Sequence, residues 1–280
     1  MFDIEIPQPA YSYADAWSEE RGQTERSYYI EDCKAMPSVT TVLDMISKPN
    51  LMKWMQGKSL NKAQELALDS PWPEKPPRNE NANKKLEDPG VYDRRLNRLW
   101  KNNVTELIKT ARQEPNRFRD EAGDYGSRAH RAIQFVGSGG SLEDVEEDVI
   151  GSVLAYQEWY RQAGIEVVHQ EIMVWHPTHK YAGTIDAVGF KNGNMVVVDW
   201  KTGSGLYPES ALQVSAYAAA LSQITSHPVS ECWVVRFPRD NQGEPGYFEQ
   251  KQVADWYETF KSGFLPSLAL WHTYHAPIWA

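Results

Sequence analysis

GTIDAVGFKNGNMVVVDWKTGSGLYPESALQVSAY, Gly183 to Tyr217, is the stretch that decides the fold. The apolar run Met195 to Val198 reads as a buried strand, and ending such a strand in Asp199-Trp200-Lys201 places two charges where solubility does not require them. Side chains alternate faces along a strand, so Asp199 and Lys201 point one way and Trp200 the other. Asp186 lies in the preceding strand, joined to this one through Lys191-Asn192-Gly193-Asn194, and Asn-Gly is the strongest short signal for a hairpin. The hairpin brings Asp186 beside Asp199, so two carboxylates and an amine converge at one sheet edge. Oxygens of that kind suit Mg2+ or Mn2+, and a metal with a nearby Lys suits attack of water on a phosphate.

The ordered set Asp186, Asp199-Trp200-Lys201 and Gln213-x-x-x-Tyr217 resembles the PD-(D/E)XK nuclease superfamily, and within it the RecB/Cas4-like branch. That branch carries a metal-binding His in an upstream helix, and Gly126-Ser127-Arg128-Ala129-His130 is similar to its Gly-x-x-x-His pattern. Pro37 to Leu43, with Lys53-Trp54, resembles the start of mitochondrial genome maintenance exonucleases and phage-type exonucleases. The resemblance spans Pro37 to Phe260. It implies a restriction-endonuclease-like α/β core, a mixed sheet flanked by helices, with an N-terminal helical region. It also implies catalytic roles for Asp186, Asp199, Lys201, Gln213 and Tyr217. The metal ligands it implies are His130, Asp186, Asp199 and the backbone carbonyl of Trp200, with Glu171 as a further ligand or supporting group. Gln213 and Tyr217 share a helical face and would support the catalytic strand; the same spacing also fits an amphipathic helix whose Tyr is core.

The composition is that of a folded chain: 280 residues, 41% hydrophobic and 12% aromatic. No apolar run approaches the roughly 20 residues of a membrane span. The acidic beginning MFDIEIPQPAYSYADAW supports neither a signal nor a transit peptide, and a cytoplasmic protein of a bacterium or phage-infected cell is expected. The only cysteines, Cys33 and Cys232, are too few and too far apart for the four-thiolate iron–sulfur cluster of some relatives, so none is expected. A net charge of −9 argues against a protein that coats duplex DNA by bulk charge. Arg94 to Arg131 nevertheless holds ten basic against five acidic residues, a local balance of +5 that suits a phosphate track or, equally, a solvated helix face.

Residues 1–36 read as an irregular lead-in, 37–120 as a helical region, 121–270 as the nuclease core and 271–280 as a tail. A helix is expected from Ser38 or Thr40 to about Leu68, broken at Pro49, then a Pro-rich loop over 69–92. Helices follow at 93–113, 125–135 and 142–162, the last ending before Gly164. Strands are expected at 166–175, 181–190 and 194–199, a helix at 209–222, strands at 232–236 and 246–250, and a last helix from Val253. DNA contacts are expected from Ser38 and Thr40 at a helix start, where hydroxyls also simply cap amides, and from Arg128 and Trp54, the latter as a stacking platform like Trp100 or Tyr125. His176 and His179 flank a turn without a third ligand, and zinc is not expected there.

Together these readings imply a Mg2+- or Mn2+-dependent DNA exonuclease acting on single strands in replication, repair or recombination, with a protein of those processes as partner. Two rival readings are a duplex 5′→3′ exonuclease that feeds a phage-type annealing protein and a non-catalytic DNA-binding module.

Overall fold

A computed structural model of the chain describes residues 4–18, 23–30, 35–46, 48–69, 89–239 and 244–276. They fall into two compact units, one made of 1–47 with 124–280 and the other of 48–123.

The larger unit is built on a five-stranded sheet ordered β4-β5-β6-β7-β8. Its strands are β4 Glu166–His176, β5 Tyr181–Lys191, β6 Asn194–Lys201, β7 Glu231–Arg236 and β8 Glu249–Gln252. β4, β5 and β6 form an antiparallel meander, β6 and β7 run parallel, and β8 returns antiparallel. The parallel step needs a crossover, which α5 (Pro208–Thr225) supplies. This is the mixed α/β sheet expected from the sequence.

Local chemistry sets the joints. Asn192 and Gly193 both have positive φ, 51° and 82°, the backbone of a two-residue hairpin turn whose twist matches the strands it joins. Lys191 pairs with Asn194, and the register continues to Ala187 opposite Val198. Pro208 opens α5 and Ser226 closes it in the left-handed region.

The sheet is covered on both faces. On one, Val214 and Ala216–Leu221 of α5 pack on Ile185, Val188, Val197 and Val234, together with Phe260 and Phe264. On the other, Ile133, Val153, Tyr156 and Trp159 pack on Ala187, Val196, Val198, Trp200 and Val235. These last helices are the end of α3 (Pro89–Gly137) and α4 (Ile150–Ala163), which stops at Gly164 with φ 62° as expected.

Several expectations are corrected. The lead-in is not irregular: β1 (Tyr11–Ser18) and β2 (Gln23–Ile30) form an antiparallel ribbon, and β3 (Met36–Pro37) adds to it. Among the β1 and β2 side chains whose burial is described, only Tyr28 and Ile30 are buried, too short an alternation to read as a period. The helices expected at 93–113 and 125–135 are one helix, α3, which continues through Pro115. A proline there removes one helical hydrogen bond but does not stop a helix that flanking pairs support, here Arg117 with Glu114 and Glu121. The helix expected from Leu142 begins only at Ile150, after single 3-10 turns at Leu142–Asp144 and Glu147–Val149. β8 starts three residues later than expected, because Gly246 takes φ 82° in the turn before it.

α1 (Val39–Leu43) and α2 (Pro49–Asp69) flank the break expected at Pro49. Of the loop expected at 69–92, Asp69 and 89–92 are helical and 70–88 lie outside the described residues. The chain ends in α6 (Trp256–Thr259), a π turn at Phe260–Phe264 and α7 (Leu265–His275), so part of the expected tail is helix. Among the described residues no helix is long and apolar enough to cross a membrane.

Candidate metal centre

The β5–β6 pairing ends at Ala187 opposite Val198, and Asp186 and Asp199 are the next residues of the two strands. Both carboxylates are buried, Asp199 to 1% exposure. Asp186 Oδ2 accepts a hydrogen bond from the Trp200 amide at 2.6 Å, which locks it to the neighbouring strand. Its other oxygen lies 3.3 Å from His130 Nδ1, and Glu171 Oε1 lies 3.7 Å from the same nitrogen. Ligand atoms of His130, Glu171 and Asp186 all fall within 4.8 Å of one another.

Asp199 Oδ2 lies 2.8 Å from Lys201 Nζ. Lys201 also donates to Gln213 Oε1 at 3.0 Å, and Gln213 Nε2 donates to the Tyr217 hydroxyl at 3.0 Å. The structure thus brings together His130, Glu171, Asp186, Asp199, Lys201, Gln213 and Tyr217.

Three features hold this arrangement. Glu171 has φ 52° in the middle of β4, a backbone that non-glycine residues rarely adopt. Across it the strand changes face. Gln170 reaches toward the Tyr156 hydroxyl on the α4 side, whereas Ile172 packs with the α5 cluster. The opposing strand does the same, Ile185 belonging to the α5 side and Ala187 to the α4 side. Glycines make the second feature. A Cβ on Gly183 would sit 2.5 Å from Cε1 of Tyr217, and one on Gly126 would sit 3.2 Å from the Thr202 hydroxyl. Gly183 therefore leaves room for the Tyr217 ring, and Gly126 lets α3 approach the end of β6 one turn before His130. Third, the buried Arg236 donates from Nε to the Gly203 carbonyl at 2.8 Å and from Nη1 to Glu249 at 2.7 Å. It ties down the turn that follows Lys201.

The site is electrostatically tense. Burial opposes the charge on His130, but Asp186 and Glu171 outweigh it and hold the imidazolium up to about 10. Burial likewise favours the neutral acid at Asp186, yet His130, Lys201 and the Trp200 amide bring it below the usual carboxylate range. Asp199 goes the other way: burial and the neighbouring Asp186 raise it to about 6 against the pull of Lys201. Lys201 is raised because Asp199 and Asp186 outweigh its burial.

These residues fit a hard divalent cation. An imidazole and carboxylate oxygens are the donors such an ion takes, and Asp199 Oδ1 is buried without a hydrogen-bond partner. With a cation bound, the proton that His130 now holds between two acids becomes unnecessary.

The other expected residues are placed as follows. Ser38 is buried and caps α1, accepting from the Thr41 amide at 2.9 Å, while Thr40 beside it is exposed. Arg128 is engaged by Asp124, Glu146 and Asp148 at 2.6–2.9 Å, which neutralises the cation expected to meet a phosphate. Trp54 belongs to the 48–123 unit, 40% exposed, edge-on to Phe118. Tyr125 is buried and bonded to Ser152 at 2.8 Å, so it offers no stacking face. The side chain of Trp100 and the whole of Cys33 lie outside the described residues; Cys232 is buried and free.

A family model for the PD-(D/E)XK nuclease superfamily matches residues 57–278, and the chain belongs to that superfamily. Its members use divalent metals, in keeping with the donor set above. No curated protein sequence is significantly similar to the chain. Among solved structures, one described as "Crystal structure of SSO0001" is similar over 51% of this chain and 71% of that one, at 12% identity and a TM-score of 0.26.

Proposed function

We propose that the protein is a Mg2+- or Mn2+-dependent DNA exonuclease that hydrolyses phosphodiester bonds from free ends of single strands, in replication, repair or recombination. The observation that carries the reading is Lys201. Its amine is held at 2.8 Å from Asp199 and 3.0 Å from Gln213, beside the His130–Glu171–Asp186 group. The amine is half-buried and anchored on both sides, which fixes its position beside the carboxylates.

His130, Glu171, Asp186 and Asp199 would hold the cation. That cation would act as a Lewis acid on the phosphate and lower the pKa of an attacking water. Lys201 would orient that water and offset the charge that builds on the phosphate. Gln213 would keep the Lys201 amine aimed, and Tyr217 would fix the Gln213 amide in the orientation that presents its oxygen to Lys201. The preference for single strands and free ends rests on the resemblance of the ordered motifs to exonucleases of the RecB/Cas4-like branch.

The test is digestion of 5′- and 3′-labelled single strands, duplexes and closed single-stranded circles with Mg2+, Mn2+ or EDTA. Linear single strands should be consumed only with metal, and circles should persist. Lys201→Met should abolish turnover while metal binding survives. Turnover in EDTA, or an active Asp199→Asn variant, overturns the assignment. Equal rates on circles and linear strands overturn the exonuclease mode, and faster digestion of duplex favours the annealing-protein pathway.

A further inference from the structure

We propose that the N-terminal ribbon carries a base-stacking platform that delivers single-stranded DNA to the metal centre, with Tyr11 and Tyr13 as its rings. The inference rests on the nuclease reading and adds to it a substrate-binding surface outside the shared motifs.

Tyr11 and Tyr13 are two apart on β1 and so share a face. Both are exposed, at 44% and 55%. Singly exposed aromatics need no explanation, but these belong to a row. The register sets Tyr13 opposite Tyr28 and Tyr11 opposite Ile30, and the Tyr28 ring lies 6.0 Å from Tyr13 and 6.3 Å from Tyr11. Tyr28 itself is buried, and its hydroxyl meets the Thr184 hydroxyl at 3.2 Å. Thr184 is two residues before Asp186 on β5. The row therefore begins in solvent and ends beside the strand that carries the central carboxylate.

The geometry favours flat rings as the occupant. Two residues along a strand separate the Tyr11 and Tyr13 attachment points by about 7 Å. A spacing of that order equals twice the optimal carbon–carbon separation of about 3.5 Å, the room one planar base takes between two side chains. One face of Tyr13 is already set by Arg26, whose guanidinium lies 4.6 Å from the ring centroid and is fixed by Asp15 at 2.8 and 3.1 Å. Arg26 is opposite Asp15 in the register, so it covers the side of Tyr13 away from Tyr11. The side toward Tyr11 is the one left for a base. Bases in a duplex are already stacked and cannot enter such a slot, whereas unpaired bases can.

The experiment measures binding and cleavage by the full-length protein. A fluorescein-labelled oligo-dT strand is titrated in EDTA against wild type, Tyr11→Ala/Tyr13→Ala and Tyr11→Phe/Tyr13→Phe, followed by anisotropy. Circular dichroism and urea midpoints confirm that each variant is folded, which exposed edge-strand positions favour. Base–aromatic stacking of known strength predicts that the Ala variant binds at least tenfold more weakly. The Phe variant, which keeps both rings, should stay within twofold of wild type. A strand of the same length with abasic sites should bind wild type and the Ala variant alike. Unchanged affinity of the Ala variant, or equal loss on the abasic strand, overturns the platform. If wild type then still cleaves with metal, only the platform has failed. If wild type cleaves no DNA with metal, the nuclease reading fails and the platform with it.

Discussion

Replacing Gly183 by Ala adds one methyl group, and the structure makes that methyl costly. An ideal Cβ at 183 stands 2.5 Å from Cε1 of Tyr217, 3.3 Å from Cδ1 and 3.4 Å from Cζ. Carbon atoms rest at about 3.5–4.0 Å, so the ring must retreat by about 1 Å. Tyr217 is buried among α5 and the sheet, and overpacking of this kind costs about 1–3 kcal/mol of stability. The functional effect should be larger than the stability effect. The Tyr217 hydroxyl accepts from Gln213 at 3.0 Å, and Gln213 accepts from Lys201 at 3.0 Å. A displacement of about 1 Å breaks the first bond, frees the Gln213 amide and lets the Lys201 amine swing, and misplacement on that scale costs about a hundredfold in rate. The assay pairs urea denaturation with metal-dependent cleavage of a labelled oligonucleotide. Metal affinity should not change, because none of the cation's donors touches Gly183. In a Tyr217→Leu background the clash is gone, so Gly183→Ala should there cost little stability, a coupling that only direct contact produces. Wild-type stability and rate in Gly183→Ala would refute the argument.

Three further outcomes are expected. Without metal, His130 holds its proton up to about 10 and Asp199 up to about 6, so cation binding at pH 8 should release about one proton, and a second should add below pH 6. Calorimetry in buffers of different ionisation enthalpy reads this directly; no release at pH 8, or undiminished release in His130→Ala, would exclude His130 as a ligand. His176 is buried beside His179, and burial with that neighbour pulls it from 6.5 down to about 4. Its folded pKa is depressed, so the unfolded chain takes up the proton first: stability is full above pH 6.5 and falls as pH drops to 4. Urea midpoints over that window should flatten in His176→Gln, and an unchanged slope would show that other groups carry the acid sensitivity. Glu171→Gly relieves a left-handed backbone, so the metal-free protein should be neutral to about 1 kcal/mol more stable. The same variant should bind the cation at least tenfold more weakly, and a destabilised variant with normal affinity would contradict both halves.

Much of the centre was legible because its elements obey local rules. Asn192-Gly193 specifies the hairpin that returns the chain from Asp186 to Asp199, and the period of two leaves Lys201 on the Asp199 side. The spacing of four sets Gln213 and Tyr217 on one helical face, and the hydrogen-bond chain from Lys201 follows that face. What the sequence did not show depends on contacts between distant segments. Arg128 lies in a basic stretch, yet Glu146 and Asp148, 18 and 20 residues on, fold back to engage it. Charge counted along the chain cannot anticipate pairing across a turn. The β1–β2 ribbon escaped notice for a related reason: Tyr28 and Ile30 of its inner strand are buried against Met173 and Ala182, far along the chain.

Glu171 is where the local rule fails at the point of function. Strict alternation groups Glu171 with His169 and Met173 and puts Gln170 and Ile172 together on the other face. The structure instead sends Gln170 and Ile172 to opposite faces, as it does Ile185 and Ala187 on the partner strand. Two adjacent strands that reverse at the same level cannot be regular there, and the positive φ of Glu171 is the hinge of that reversal. A regular pair would sink each side chain into one apolar layer. Here the reversal leaves Glu171 and Asp186 between the two layers, where both reach the ring nitrogen of His130. No residue preference announces a left-handed glutamate in mid-strand, because the conformation is imposed by what the strand packs against. Strain of this kind persists only where the surroundings over-determine it. In this chain the two covered sheet faces do so, and the strained residue is one of the group that would hold the metal.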